Sequence, residues 1–410
     1  MANVKEVNVP VLFDDPSKCC GCGSCAARCP HGAITMAEGT DGFVLPNIDV
    51  EACVGCGACV SACGLNRRVG ALSEGPFFAA AGKGDVSASA SGGVFAALAA
   101  EALSRDGIVY GAAYERAART LRVKHQRAAG LNELAPLLNS KYVQSDAGHC
   151  FANVKADLAA GREVLFSGTP CQIAGLKGFL GRDYPNLLTI DLVCHGVPSG
   201  RMFAECAEAY GRSLGSPVVD FRFRCKRDGW GHSLLLLLLE DGREVSVPAA
   251  DSPYYNMFLD LKTMRDSCYQ CPYASRFRAG DLTIGDFWGV DANRPDVLTD
   301  AGRFNQMKGI SCLLSNNARG REYLESSEAL DLFEVEFEDI AKGNDQLRRP
   351  SMLPEDRNLY IEAFASGGWS AVERLYKRRE RGVKHYAKAV ARRLLPESAR
   401  KTIRNVLGSK

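Results

Sequence analysis

The sequence predicts a small α+β domain dense in cysteine, a larger α/β domain behind it, and a basic helical tail. Three observations carry that reading. Nine of the seventeen cysteines crowd into two runs between residues 19 and 63, apolar strand-like stretches alternate with helical ones through the middle, and cations collect at the end. A chain of 410 residues exceeds one average domain, and 46% hydrophobic with 24% charged residues is ordinary for a protein with a real core. Six histidines are few, so histidine-based metal sites are not the main theme.

Seventeen cysteines cannot all pair, because the number is odd. The opening "MANVKEVNVPVLFDDPS" has no apolar signal region, and the longest apolar run, Leu234 to Leu239, falls far short of the roughly 20 residues that span a bilayer. The expected compartment is the cytoplasm, with thiolates kept for metal rather than disulfides. The overall charge of +2 hides an asymmetry: residues 371–410 hold thirteen Lys/Arg against three Glu, and the rest holds 37 basic against 45 acidic groups.

The first element, residues 1–68, is justified by spacing. Cys19, Cys22, Cys25 and Cys29, followed by Pro30, read C-x2-C-x2-C-x3-C-P; Cys53, Cys56, Cys59 and Cys63 repeat it, with Gly64 in place of the proline. Two residues between cysteines let a tight loop aim successive sulfurs at one cubane, and in two-cluster ferredoxins the fourth cysteine of each run serves the other cluster. One 4Fe–4S cluster is thus expected on Cys19, Cys22, Cys25 and Cys63, and another on Cys53, Cys56, Cys59 and Cys29. Gly21, Gly23, Gly55 and Gly57 keep side chains off the clusters. A pair of zinc sites is the alternative, but zinc usually takes two separated C-x2-C knuckles. These residues resemble the bacterial two-cluster ferredoxin family, over residues 14–68. Cys20 lies outside the pattern. A ferredoxin is complete in fewer than about 80 residues, so this one is a module feeding something downstream.

Residues Gly64 to Pro76 read as a linker. The second element, residues 76–345, follows. Phe77–Gly82, Gly107–Tyr114, Leu121–Gln126, Glu163–Phe166, Leu187–Cys194 and Asp281–Gly289 read as strands, and "SLLLLLLEDGREVSV" as a hairpin around Asp241-Gly242. Between them "SASGG" (Gly92, Gly93) opens a helix whose start either packs closely or receives the phosphates of a flavin or nucleotide. Thr169, Pro170 and Gln172 form a capping box, which sets Cys171 in a first helical turn, where the helix dipole is expected to lower its pKa. Cys171, Cys194, Cys268 and Cys271 sit at strand ends or in loops, as a third cluster requires; buried core thiols are the alternative, and Cys225 is the nearest rival ligand. "FRFRCKRDGW" (Phe221 to Trp230) is either a solvated charge run or an anionic-cofactor site.

The third element, residues 346–410, is a basic tail that from Trp369 reads as one or two amphipathic helices broken at Pro396. It offers either a solvated face or a docking surface for a partner or an anionic membrane. There is no Walker A motif, no strand-linked G-x-G-x-x-G and no nucleophile–base pair, and no nucleic-acid partner is expected.

Taken in order, "SASGG", "SKYVQSD", "LFSGTPCQIAGL", "VCHGVPSG", "CYQCPYA" and "DLTIGDFWG" resemble the beta subunit family of coenzyme F-420 hydrogenases and dehydrogenases, over residues 14–345. The chain is most similar to members that fuse the ferredoxin module, including the input subunit of the F-420H2 dehydrogenase. The resemblance implies an α/β domain binding FAD and a third 4Fe–4S cluster, with Cys171, Cys194, Cys268 and Cys271 as its ligands. It also implies Ser91, Gly92 and Gly93 near the flavin, and Lys141, Tyr142 and Ser145 as a second cofactor segment. The expected function is an oxidoreductase passing electrons between ferredoxin-type clusters and an organic two-electron carrier, which coenzyme F-420 would suit. Its redox partner is a protein or ferredoxin. The alternatives are an electron-transfer subunit inert outside its complex, and a zinc-stabilised binding protein.

Overall fold

The computed structural model describes residues 8–115, 120–227, 229–230, 234–299 and 303–380. The N-terminal module holds helix α1 (Ser24–Arg28), strands β1 (Ile34–Glu38) and β2 (Val44–Ile48), which pair antiparallel, and helix α2 (Ala58–Ala62). Both helices start on a left-handed glycine, Gly23 at φ 79° and Gly57 at φ 72°, so the repeated spacing becomes a repeated turn that other residues enter only under strain. Its hydrophobic cluster has just Leu12, Ile34 and Cys59 as buried members, too little to hold a module of this size without clusters or a docking partner.

Strand β3 (Ala71–Leu72) lies in the stretch that reads as a linker, and β4 (Phe77–Gly82) leads into helix α3 (Val94–Ser104). Strands β5 (Ile108–Glu115) and β6 (Arg122–Ala128) precede α4 (Phe151–Ala159), β7 (Val164–Gly168), α5 (Pro170–Leu180), β8 (Leu187–Leu192) and α6 (Gly200–Leu214). Then come β9 (Val218–Arg222), the hairpin β10 (Leu234–Leu239) and β11 (Glu244–Pro248), α7 (Pro253–Leu259), β12 (Phe277–Arg278), β13 (Leu282–Asp286), β14 (Ser311–Ser315) and β15 (Leu330–Val335).

Eight strands form one mixed sheet in the order β15-β4-β14-β13-β8-β7-β5-β6. Its centre, β13-β8-β7-β5, is parallel, as alternating strands and helices lead one to expect; antiparallel strands close both sides. The parallel strands end on one edge, where open α/β sheets bind ligands. One face is covered by α3 through Val94, Leu98 and Ala102, the other by α4 and α5 through Phe151, Val154, Ile173 and Leu176.

Two expectations are corrected. Residues 64–76 are not a free linker: β3 pairs with β12, and the Tyr273 hydroxyl donates to the carbonyls of Gly64 (3.4 Å) and Val69 (3.0 Å), so small polar residues here are stitched down rather than loose. The tail does not begin as a solvated face either. The helix Arg357–Glu380, broken at Gly367-Gly368, buries Tyr360, Phe364, Trp369 and Val372 against α6, α7 and the three-stranded sheet β11-β10-β9. Glu205 accepts the Trp369 N–H at 2.7 Å across the break. The basic residues beyond Glu380, Pro396 included, lie outside the described residues. Among the described residues no helix is long and apolar enough to cross a membrane.

Candidate functional site

Two sulfur-lined cavities mark the N-terminal module. Cys19, Cys22, Cys25 and Cys63 line one of about 270 Å³; Cys29, Cys53, Cys56 and Cys59 line another of about 20 Å³. Each set takes its fourth cysteine from the other run. The exchange follows from how α1 and α2 pack: the Ser24 hydroxyl donates to the carbonyls of Ala62 (2.8 Å) and Gly175 (2.9 Å), which brings Cys63 beside the first loop. All the donors are sulfur, the ligand set of a 4Fe–4S centre. Among the described residues no three His, Cys, Asp or Glu close on a single metal ion; the cysteines ring cavities instead. Burial, followed by the neighbouring Cys19 thiol, pushes Cys25 up to about 12, so without metal this thiol stays protonated, and iron binding must release its proton.

The larger cavity does not end with the module. Cys171, Cys194, Cys268 and Cys271 line it as well. Cys171 follows β7 in the first turn of α5, Cys194 stands two residues past β8, and Cys268 and Cys271 flank the end of a 3-10 turn (Asp266–Gln270). The capping box forms as the sequence indicates, with Gln172 Oε1 accepting from Thr169 N at 3.0 Å. The expected dipole effect on Cys171 is overturned: its hydrogen bond to Cys20 and its burial hold the thiol well above the ordinary range. Burial and then the Cys171 thiol push Cys268 to about 12 and Cys271 to about 11; Cys194 is likewise held up by burial and by Cys268. Cys225 does not line this cavity, while Cys150, Cys206 and Cys312 are buried in apolar clusters.

A buried ion pair fixes the third set. Arg278 meets Asp191 at 2.7 Å, both essentially inaccessible, and its guanidinium also donates to the carbonyls of Tyr273 (2.6 Å) and Leu192 (2.7 Å). Asp191 accepts in turn from Ala279 N, Gly280 N and the Thr283 hydroxyl. The loop carrying Cys271 is thereby locked to the strand that leads to Cys194. Sequence reasoning missed this pair; the one local signal was an aspartate inside the apolar run "LLTIDLVC".

A second missed group docks the module. Arg265 donates to the carbonyls of Cys19 (3.1 Å) and Val44 (3.0 Å) and to Gln144 Oε1, and its guanidinium lies 4.8 Å over the Phe43 ring. Gln144 donates to the carbonyls of Cys20 (3.0 Å) and Gly21 (3.3 Å). Helix α5 presents glycines where the module arrives. A Cβ on Gly175 would meet Cys22 Sγ at 2.7 Å, and one on Gly178 would strike the Ala62 carbonyl.

The six residues expected near a flavin separate. Close packing accounts for Gly92 and Gly93: a Cβ on Gly92 would meet Ala80 O at 2.7 Å, and one on Gly93 would strike Val86. The Ser91 carbonyl accepts from Lys226 Nζ at 2.8 Å, alongside those of Val86 and Lys308, and burial lowers this lysine to about 8. Beside it, Arg224 pairs with Asp286 at the end of β13 (3.0 Å) and touches the Tyr142 hydroxyl (3.3 Å), while its Nη2 is buried without a partner. The Trp230 indole donates to Asp286 at 3.0 Å and stacks on Trp288 at 4.9 Å. Ser91 and Tyr142 thus bound one polar, aromatic-lined region fed by "FRFRCKRDGW". Lys141 caps the carbonyls of Pro136 and Leu138. Ser145 stands elsewhere: it hydrogen-bonds His125 Nδ1 (3.1 Å) and accepts from Gln172 Nε2 (2.9 Å), so it braces the capping box of the Cys171 helix.

Comparison with known proteins gives two matched stretches. Residues 18–66 match the 4Fe-4S dicluster domain, and residues 161–341 match the model for the C terminus of the coenzyme F420 hydrogenase/dehydrogenase beta subunit. No curated protein matches the sequence. Among solved structures, a chain of the F420-reducing [NiFe] hydrogenase complex from Methanosarcina barkeri is similar at 15% identity and a TM-score of 0.42, over 77% of this chain and 95% of that one. Residues 161–341 thus carry the C-terminal domain of the coenzyme F420 hydrogenase/dehydrogenase beta subunit family, behind a 4Fe-4S dicluster domain at residues 18–66.

Proposed function

We propose that the chain is an iron–sulfur flavoprotein oxidoreductase passing electrons between a redox partner protein and an organic two-electron carrier of the coenzyme F420 class. FAD is the converter and three 4Fe–4S clusters are the wire. The observation that carries this reading is the single cavity lined both by Cys19, Cys22, Cys25 and Cys63 and by Cys171, Cys194, Cys268 and Cys271. A bound flavin exchanges electrons in pairs with an organic carrier and singly with iron–sulfur centres. This chain's own part is to hold and orient. Arg224 Nη2 offers a buried cation with a free donor to an anionic group, Lys226 adds a second positive charge, and the Trp230–Trp288 stack supplies a flat apolar wall. Asp286 fixes both Arg224 and Trp230.

Purified without oxygen, the protein is expected to hold about one flavin and, with four irons in each of three clusters, about twelve irons per chain. It is also expected to oxidise reduced coenzyme F420 with an artificial dye as acceptor. Absence of flavin overturns the reading. A specific observation favours a second one, an electron-transfer subunit that turns over only in a complex: Cys56 is exposed, with exposed Val50 and Val54 beside it, an apolar rim suited to a protein partner. Dye-linked turnover by the isolated chain decides between the two.

A further inference from the structure

We propose that the stretch from Ser351 to Arg357 is a strap over the third cysteine set, and that Arg357 and Ser351 are positioning residues for the cluster on Cys171, Cys194, Cys268 and Cys271. This rests on the three-cluster reading. The stretch lies past residues 161–341, the family-matched part, and leads into the helix Arg357–Glu380. Each of its ends holds a segment that carries one of the cysteines. The Ser351 hydroxyl donates to the carbonyl of His195, the residue after Cys194, at 2.5 Å. Arg357 Nη2 donates to the Met264 carbonyl at 2.8 Å, and Nη1 meets Asp266 Oδ1 at 2.8 Å, on the loop that leads into Cys268. The same guanidinium lies 5.6 Å over the Tyr269 ring, just past Cys268.

The two strapped segments touch each other. Arg265 N donates to the Val197 carbonyl at 3.0 Å, and a Cβ on Gly196 would meet Cys268 Cβ at 3.0 Å. Consecutive residues of one loop thus serve two neighbours: the Arg265 side chain reaches the module at Cys19, while Met264 and Asp266 accept from Arg357. A planar fork that meets two acceptors at once fixes the loop in a way that a single ammonium does not. Charge adds to placement. The Arg357 side chain is 6% exposed and that of Asp266 48%, so water screens the carboxylate more than the guanidinium, and the strap presents positive charge to the interior. A cluster gains negative charge on reduction, and its potential follows local charge and solvent exposure. The strap therefore raises the potential of the third set and leaves the two module sets alone.

The test is a redox titration of the full chain followed by electron paramagnetic resonance, with iron and sulfide analysis, on wild type, Arg357→Met, Arg357→Lys, Ser351→Ala and Trp369→Ala. The third midpoint is expected to fall in Arg357→Met, to recover in part in Arg357→Lys, which keeps the charge without the fork, and to shift less in Ser351→Ala. The module clusters stay put as internal references. Trp369→Ala loosens the same helix beyond its Gly367-Gly368 break and should leave all three midpoints in place. Loss of four irons confined to the third cluster in Arg357→Met supports the proposal as well. Unmoved midpoints, equal shifts or iron loss in all three clusters, or a Trp369→Ala shift matching that of Arg357→Met overturns it. Wild type with only two clusters defeats the three-cluster reading itself, a result distinguishable because it needs no variant.

Discussion

The two cysteine runs share one spacing and one turn, yet they live in different surroundings. Gly23, which starts the first helix, is hemmed in: a Cβ there would meet the Gly148 Cα at 3.0 Å. Gly57, in the second, has nothing within 4 Å. The first set opens into a cavity shared with the large domain, while the second keeps an exposed Cys56. A sequence repeat that is symmetric in chemistry is thus asymmetric in position, and the asymmetry supports a direction of connection: the outer set toward a partner, the inner set toward the sheet.

Breaking the inner end has the largest expected effect. Cys194→Ala should cost four of about twelve irons while leaving the two module clusters intact; metal analysis checks it, and loss of all iron would mean the module cannot stand without the third set. Next, Arg278→Met strands Asp191 in the interior, where breaking a buried pair costs about 3–5 kcal/mol. Denaturant unfolding of the full chain should show that loss.

His125 offers a pH-dependent handle on the same end. It stacks on Phe166 at 5.0 Å and its Nε2 donates to the Ser167 carbonyl at 2.9 Å. Burial lowers it to about 4 from 6.5. The unfolded chain therefore takes up the proton first, so this stability is complete above pH 6.5 and is lost as pH falls toward 4. The loss is about 3 kcal/mol. Unfolding at several pH values should show a slope that H125Q lacks.

A smaller effect sharpens the comparison itself. A side chain at a left-handed position costs about 1–2 kcal/mol, so Gly57→Ala should lose roughly that, and Gly23→Ala more, because the Gly148 backbone must also move. Equal losses would remove the asymmetry. The smallest effect is at the rim: Val54→Glu should leave folding and metal content unchanged and slow electron exchange with a protein partner, but not with a small dye.

What was legible in the sequence was local. The eight module cysteines, the strand preceding Cys171 and its capping box all rest on residues within a turn or a run of one another. What stayed hidden joins distant residues. Arg265 reaches Cys19 across 246 positions, and Arg278 reaches Asp191 across 87; no spacing rule records either. Ser145 shows the cost of carrying over a segment whole, since its neighbour Tyr142 lies by Arg224 while it faces the other way, toward His125. Trp369 misled for a different reason: cations further along made its helix look solvated, and only the packed structure reveals the apolar face of Tyr360, Phe364 and Val372.

Helix α5 both carries Cys171 and seats the module on Gly175 and Gly178. At Gly178 main chain abuts main chain, and at Gly175 the helix backbone meets the short Cys22 and Ser24 side chains, so the gap between the two cysteine sets is a machined dimension rather than a sprung one. Since tunnelling falls steeply with separation, such a joint sets a transfer rate that fluctuates little, and even a single added methyl would act as a shim between the two halves.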